Sequence, residues 1–308
     1  MPERVLLVGT VSNVSKNFAK DFRNVYAALA SLFQVEVFLV ESDSTDGTPD
    51  ILRDFANELD GFSYETLGHL RITIPERIER IRYCRNRYVN HIRAGVETSG
   101  WKYIIVADLD GMNPKLTSKG IRSCFEKDGW DACLSNQSGG YYDIFALRHP
   151  SWQPENFYIE LNRQRELSIG YPSWLNYLPS RLSRFLEDDF RKNKLIYSKM
   201  QKISPRDSWV EVDSGFGGFA IYKPDMFTQY DYSKYVPSSQ DCEHVDLHLR
   251  ARSDGKKILI NPRLINSGWN TYNVNRIFLI RQIRRIIWGL PAINKIFSIA
   301  KSLFMKLK

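Results

Sequence analysis

Residues 103–110 read Tyr-Ile-Ile-Val-Ala-Asp-Leu-Asp. A short apolar run rich in β-branched residues, Tyr103–Ala107, is a buried strand, and it runs straight into Asp108-Leu109-Asp110. In an open α/β sheet, ligands bind beyond the carboxyl ends of the strands, so this strand delivers two carboxylates to a ligand-binding edge. Two carboxylates there can hold a divalent cation. A hard cation with oxygen ligands suits a diphosphate, because it neutralises charge on the leaving group. The spacing alone is common, and two solvated loop acids after a strand would read the same way.

Outward from that strand the pattern repeats. Arg4–Val8, Gln34–Val40 and Tyr64–Leu67 precede it as apolar strands. Asn17–Phe33, a segment opening at Thr48-Pro49, and Pro75–Ala94 have helical character; Thr48 is a good N-cap and Pro49 suits the first helical position. Strands follow at Asp131–Ser135, Phe219–Tyr222 and Lys257–Ile260, with a helix around Glu243–Ser253. Strands alternating with helices predict an α/β fold with a mostly parallel sheet flanked by helices. Residues 150–210 break the pattern. They carry Trp152, Tyr158, Tyr171, Trp174, Tyr177, Tyr197 and Trp209 with weak periodicity, and read as a partly helical insertion whose aromatics suit sugar stacking on the acceptor side.

Charge is unevenly placed. The 308 residues hold 43 Lys plus Arg against 35 Asp plus Glu, a net charge of +8. Eight of the basic residues and none of the acids lie from Arg276 to Lys308, so residues 1–275 hold 35 of each sign. A neutral body argues against nucleic acid as a partner, because a nucleic-acid-binding domain carries its own basic stripe. Aromatic content of 13% excludes a disordered chain. Cys84, Cys124, Cys133 and Cys242 show no CxxC or CxxH spacing, which points away from a disulfide framework and fits a reducing, cytoplasmic compartment. There is no secretory leader pattern and no run approaching the roughly 18–20 apolar residues that span a bilayer. In the tail, apolar residues at 293, 296, 297, 300, 303, 304 and 307 form a helical stripe with the lysines off it. Residues 276–288 divide similarly, and Gly289-Leu-Pro291 separates the two segments. A terminal helix packed on the core is one reading. The absence of acids favours a pair of amphipathic helices lying on the inner face of an anionic membrane. The expected organisation is therefore a catalytic domain over 1–270 and a basic amphipathic, membrane-associating tail over 271–308.

Three further segments could carry chemistry. Glu41-Ser-Asp-Ser-Thr-Asp-Gly-Thr48, between a strand and a helix, could contact a nucleoside, or could be a plain Asx/Ser-rich turn. Arg77, Arg80, Arg82, Arg85 and Arg87 lie on one helix. Five arginines cannot share a face, so two or three converge on phosphate and the others form a salt-bridged surface. Glu243-His-Val-Asp246 opens the last helix, where acids favour the helix dipole or serve as a general base. His244 and His248, four residues apart, are more often structural than metal-binding.

Together these segments resemble the nucleotide-sugar-dependent glycosyltransferases of the GT-A fold. A narrower resemblance is to the cryptococcal capsule-associated α-1,3-mannosyltransferase family. It rests on Glu41-Ser42 before the Ser-Thr-Asp-Gly-Thr run, Arg77-Ile-Glu-Arg through Arg85-Asn86, Tyr141-Tyr-Asp-Ile-Phe-Ala-Leu-Arg148, Gly215-Phe-Gly-Gly218 and Ile260-Asn-Pro-Arg263. The resemblance implies a Rossmann-like GT-A sheet and a donor site built from Thr10, Glu41, Asp43, Arg82, Arg85, Asn86, Asp108, Arg148, Gly217 and Gly218. It implies Mn²⁺ or Mg²⁺ on Asp108 and Asp110, and catalytic roles for Asp143, Glu243 and Asp246. The donor would be a GDP- or UDP-linked hexose, mannose by the narrower match. The acceptor would be a glycan or a lipid-linked sugar in surface polysaccharide or glycoconjugate synthesis. Two departures stand out. His244 occupies a position where many inverting relatives have Asp, and Asn266-Ser-Gly268 stands where a metal-binding histidine is usual. A nucleotidyltransferase would need a Gly-rich basic loop after the first strand, whereas Gly9–Lys16 holds one Gly and one Lys. A catalytically silent membrane-associated sugar-binding protein is the alternative outside enzymes.

Overall fold

Val5, Leu6, Leu7 and Val8 are all buried, as a strand must be when helices cover both faces of its sheet. The computed structural model describes residues 2–177, 180–234 and 241–276; apart from Arg276, the two amphipathic tail segments lie outside the described residues. Strands β1 (Arg4–Val11), β2 (Gln34–Glu41), β3 (Phe62–Thr66) and β4 (Trp101–Ala107) alternate with helices α1 (Phe18–Ala30), α2 (Thr48–Glu58) and α3 (Arg77–Ser99). Helix α4 (Ser118–Arg122) leads to β5 (Ala132–Gln137), and helices α5 (Phe157–Glu166) and α6 (Ser180–Leu195) follow within residues 150–210. The chain then makes β6 (Val210–Val212), β7 (Phe219–Tyr222), α7 (Asp225–Gln229), α8 (Glu243–Ser253) and β8 (Ile258–Ser267).

The eight strands form one sheet in the order β3-β2-β1-β4-β7-β5-β8-β6. All run parallel except β7, which is antiparallel to both β4 and β5, and β6, which is antiparallel to β8. The mostly parallel α/β sheet expected from the sequence is therefore what forms. The three-residue β6 was not anticipated, being too short to show a period. The strand expected at 257–260 continues to Ser267, because Asn261, Asn266 and Ser267 are buried with polar partners. Thr48 is the first residue of α2, not its cap. Its hydroxyl accepts from Val14 N at 2.9 Å, while Asp46 Oδ1 accepts from Thr48 N at 3.0 Å. The loop is thereby folded against the β1–α1 connection.

Two apolar layers cover the sheet. Val5 and Leu7 point to one, where Phe18, Phe22, Phe55 and Phe62 pack together, Phe22 and Phe55 with ring centroids 4.6 Å apart. Leu6 and Val8 point to the other, against Tyr88, Val89 and Ile92 of α3. Each fully buried side chain of this size contributes about 1.5–3 kcal/mol. After β1 the chain runs outward to β2 and β3, then returns to the far side of β1 as β4. Strand order thus reverses between β1 and β4, where the crevice of such sheets opens. Gly9 is required at this seam: a Cβ there would lie 2.6 Å from Ala107 O. Gly9→Ala is expected to force the strands apart and cost about 1–3 kcal/mol, read as a lowered urea midpoint. An unchanged midpoint would show that β1 and β4 part freely.

Among the described residues, no helix is long and apolar enough to cross a membrane. The four cysteines are buried thiols.

Candidate active site

The carboxyl ends of β1, β2 and β4 border a cleft of about 740 Å³. Part of its lining is polar, with Thr10, Ser42, Asp43, Arg71 and Arg80, while Arg77 lies near Tyr272. Asp108 and Asp110 occupy its middle. The other end is walled by Tyr142, Asp143, Phe145, Phe157, Tyr158 and Glu243, among others.

The polar end is built by two loops that grip each other. Thr45 N donates to Asn13 Oδ1 at 2.8 Å, and Asn13 N donates to Ser44 Oγ at 3.1 Å. Asn13 and Asp43 both have positive φ, 53° and 60°, a conformation uncommon outside glycine that concentrates at ligand sites. Asp43 Oδ1 accepts from Arg71 N at 2.9 Å, and its Oδ2 pairs with Arg80 Nε at 3.4 Å. Glu41 does not reach the cleft; its Oε1 accepts from Ser44 N at 3.0 Å and shapes the loop. Of the six arginines on α3, Arg77, Arg80 and Arg85 line the cleft. Arg87 pairs with Glu65 on the outer side.

At the centre, the DxD turn is held from behind. Asp108 N donates to Gly218 O at 2.9 Å. Asp21, buried on α1, accepts from Gly111 N and Asn113 N, each at 3.0 Å. Asn113 Nδ2 donates to Asp108 O at 2.6 Å. Asp21 was missed in the sequence, where one acid in the first turn of a helix looks like dipole compensation. Burial pushes the Asp108 carboxyl up; Arg85 opposes the rise and Asp110, Asp143 and Glu243 add to it, and the result is about 7. Burial and nearby Asp21 raise Asp110 as well. Carboxylates raised by burial and by neighbouring acids in this way gain from a cation. Among the described residues, no three His, Cys, Asp or Glu side chains are placed to hold a metal ion together. Asp108 and Asp110 offer two hard oxygen ligands, so a divalent cation here would need its remaining ligands from outside these side chains. Asn266, standing in place of a histidine, is fully buried and engaged: it donates to Gly217 O at 2.8 Å and Asn113 Oδ1 at 3.1 Å and accepts from Gln137 Nε2 at 3.0 Å.

Arg85 joins the centre to the far end. Its Nε donates to Glu243 Oε1 at 2.9 Å, Nη1 to Tyr88 Oη at 3.1 Å, and Nη2 lies 3.4 Å from Asp108 Oδ1. Its guanidinium carbon lies 5.5 Å from the ring centroids of both Phe216 and Tyr232. Burial disfavours this charge, but Tyr88, Glu243, Tyr232 and Asp108 outweigh it and hold the pKa well above the ordinary value. Asp143 also borders the cleft, fixed by Gly217 N at 3.0 Å and Ala146 N at 3.3 Å. Burial raises its carboxyl. Gly217 and Gly218 have φ of 77° and 86° and act through these backbone groups from behind the lining.

Other expected site residues form the support. Arg82 donates to Tyr232 O, Asp241 O and the Asp246 carboxylate. Asn86 Oδ1 accepts from Tyr232 N at 2.8 Å. Arg148 donates to Leu147 O and Asp241 Oδ1, each at 2.6 Å. None of Arg82, Asn86, Arg148 and Asp246 lines the cleft; they clamp α8 and the segment before it to α3 and β5's following loop. His248 is buried between Ser214 Oγ and Tyr222 Oη, each 3.1 Å from a ring nitrogen. His244 stacks on Phe216 at 4.1 Å, and neither of its ring nitrogens has a hydrogen-bond partner. Burial, with Arg85, His248 and Arg82 nearby, holds its pKa well below the ordinary value, so the ring is neutral. The two imidazoles are not turned toward a shared cation.

No family model and no curated protein matches this sequence. Solved structures do align with it at low identity. A mannosyltransferase from Pyrobaculum calidifontis, determined with GDP-Man and Mn²⁺, is 14% identical; the alignment covers 87% of this chain and 57% of that one, with a TM-score of 0.45. TarS residues 1–349 from S. aureus, determined with UDP-GlcNAc, is 11% identical over 84% of this chain and 55% of that one, with a TM-score of 0.38. Glucosyl-3-phosphoglycerate synthase from Mycobacterium tuberculosis, with Mn²⁺, UDP and phosphoglyceric acid, is 11% identical over 86% and 67%, with a TM-score of 0.35. The chain thus spans little more than half the length of the first two.

Proposed function

We propose that this chain is a metal-dependent glycosyltransferase of the GT-A type. It transfers a hexose from a GDP- or UDP-linked donor to a glycan or lipid-linked acceptor in surface polysaccharide or glycoconjugate synthesis, and mannose is the sugar favoured by the motif resemblance. The observation that carries this reading is the placement of Asp108 and Asp110 at the strand-order reversal, between a polar end and an end holding Asp143 and Glu243.

In this reading the strained Asn13 and Asp43 loops receive the nucleoside, and the Arg77 and Arg80 guanidiniums face its phosphates. Asp108 and Asp110 hold Mn²⁺ or Mg²⁺, which when bound neutralises the diphosphate leaving group. Asp143, locked by two backbone donors, and Glu243, locked by Arg85, flank the sugar and orient its hydroxyls and the incoming acceptor hydroxyl. A buried carboxylate with its rotamer fixed is a preorganised acceptor for that proton. The basic tail attaches the enzyme to the cytoplasmic face of a membrane.

The test is a panel of nucleotide sugars with and without EDTA. One GDP- or UDP-linked hexose is expected to be hydrolysed in Mn²⁺, with chelation slowing it by about a hundredfold or more. Hydrolysis of a donor at the same rate in EDTA would refute the metal role, and no hydrolysis or transfer from any donor would refute the enzyme.

A further inference from the structure

The path of the chain after β8 bears on what the cleft accepts. Tyr272 lines the cleft and stacks on Tyr142, another lining residue, with ring centroids 5.2 Å apart and planes within 15°. Asn273 Nδ2 donates to Gly140 O at 3.1 Å and to Gly268 O at 2.9 Å, tying this turn to the loop that carries Tyr142. The Asn273–Arg276 turn packs against the Tyr197–Lys199 turn of the insertion. The chain therefore passes along the rim of the acceptor end and leaves from there. The tail beyond this turn, residues 277–308, contains seven Lys or Arg and no Asp or Glu.

Tyr158 and Tyr272, which line the cleft, and residues close to them in sequence expose large apolar side chains. Trp269 is 58% exposed and Tyr272 50%. Tyr158, lining the cleft from α5, is 47% exposed and its neighbour Ile159 is 65%. Singly such residues need no explanation. Here two tyrosines, a tryptophan and an isoleucine coincide with the origin of a basic tail. Side chains with an apolar body and a polar tip settle at the water–lipid boundary, and clustered cations beside an apolar surface are drawn to anionic lipid. The body has no net charge to oppose attraction to an anionic surface, and the tail's origin and this rim supply the orientation.

We propose that the acceptor end of the cleft rests on an anionic bilayer, with Trp269, Ile159 and the tail in the interface, and that the acceptor is a lipid-linked sugar presented from the bilayer. The acceptor class rests on the glycosyl-transfer reading; the orientation does not.

The experiment uses the full chain with Trp288→Phe, so that tail fluorescence does not intrude, and vesicles whose lipids carry brominated acyl chains. Binding to phosphatidylglycerol-containing vesicles and not to pure phosphatidylcholine is expected, with quenching that is lost when Trp269→Phe is added. Binding without a Trp269 contribution would turn the cleft away from the membrane and overturn the proposal. So would failure to bind, whether because the tail packs on the body or because it joins two copies. Ile159→Asp with Trp269→Ser is expected to weaken partitioning about tenfold. The pair is expected to lower transfer to a vesicle-held polyprenyl-phosphate-linked acceptor in proportion, with donor hydrolysis in solution unchanged. Equal use of a soluble oligosaccharide would overturn the acceptor class. Quenching without sugar transfer from any donor would refute the transferase while upholding the orientation.

Discussion

Arg85→Met is expected to stop turnover and to destabilise the protein by about 3–5 kcal/mol, the usual cost of leaving one partner of a buried ion pair alone. Arg85 has only 5% of its side chain exposed and Glu243 7%, so neither regains solvent when the other is removed. Arg85→Lys is not a rescue. A single ammonium cannot meet Glu243, Tyr88 and Asp108 in the three directions that the guanidinium serves. It would keep part of the stability and lose the geometry. The kinetic signature separates two roles. If Arg85 grips the nucleotide, as the motif resemblance implies, the lysine variant raises the donor KM. The geometry places Arg85 between Asp108 and Glu243 instead. The expected result is a kcat lower by about a hundredfold, the cost of displacing a reacting group by an ångström, with the donor KM little changed. A raised KM with kcat intact would return Arg85 to the nucleotide.

That outcome bears on what the sequence could disclose. The αβ alternation and the position of the DxD strand were legible because burial on both faces leaves an unmistakable apolar run in β1 and β4. Convergence was harder to read. The arginine spacing on α3 implied that two or three would point one way, and three do. It could not say which, because the choice depends on α8 packing beneath the helix. There Arg82 meets Asp246 and Arg85 meets Glu243. Hence the pair of motifs that looked like two binding sites is largely one clamp. The motif resemblance turns Glu41 toward the donor, yet its carboxylate is used by the loop's own backbone. Asp21 and Tyr272 had no local signature at all, and Tyr142 only its place in the Tyr141–Arg148 motif. Their roles arise from contacts across 90 residues or more of sequence, as with Asp21 and Gly111, or Tyr142 and Tyr272.

Asp108→Asn and Asp110→Ala are expected to inactivate the enzyme while affecting stability differently from Arg85→Met. In the proposed reading, either change takes away one of the two carboxylate charges offered to the cation. Metal-stimulated hydrolysis should fall by about a thousandfold, equivalent to about 4 kcal/mol of lost transition-state stabilisation. The fold, however, is strained by Asp108 when no cation is present. Its carboxyl is pushed up to about 7, against about 3.9 in an unfolded chain. A carboxyl raised on folding binds its proton more tightly in the native state, so the native state is penalised as pH climbs. The penalty is absent below about pH 4, grows up to about pH 7 and is complete above it. With 35% of the Asp108 side chain exposed, solvent screening reduces its size to about 1–2 kcal/mol. In EDTA at about pH 8, Asp108→Asn should therefore be more stable than the parent by that amount, and at about pH 4 the two should coincide. Urea unfolding at the two pH values measures this directly. A variant less stable at both would mean that the Asp108 charge is already matched by Arg85, leaving the carboxylates no need of a cation. A gain confined to high pH, together with lost turnover, would identify Asp108 as a residue kept for the ion it holds at the expense of the fold that carries it.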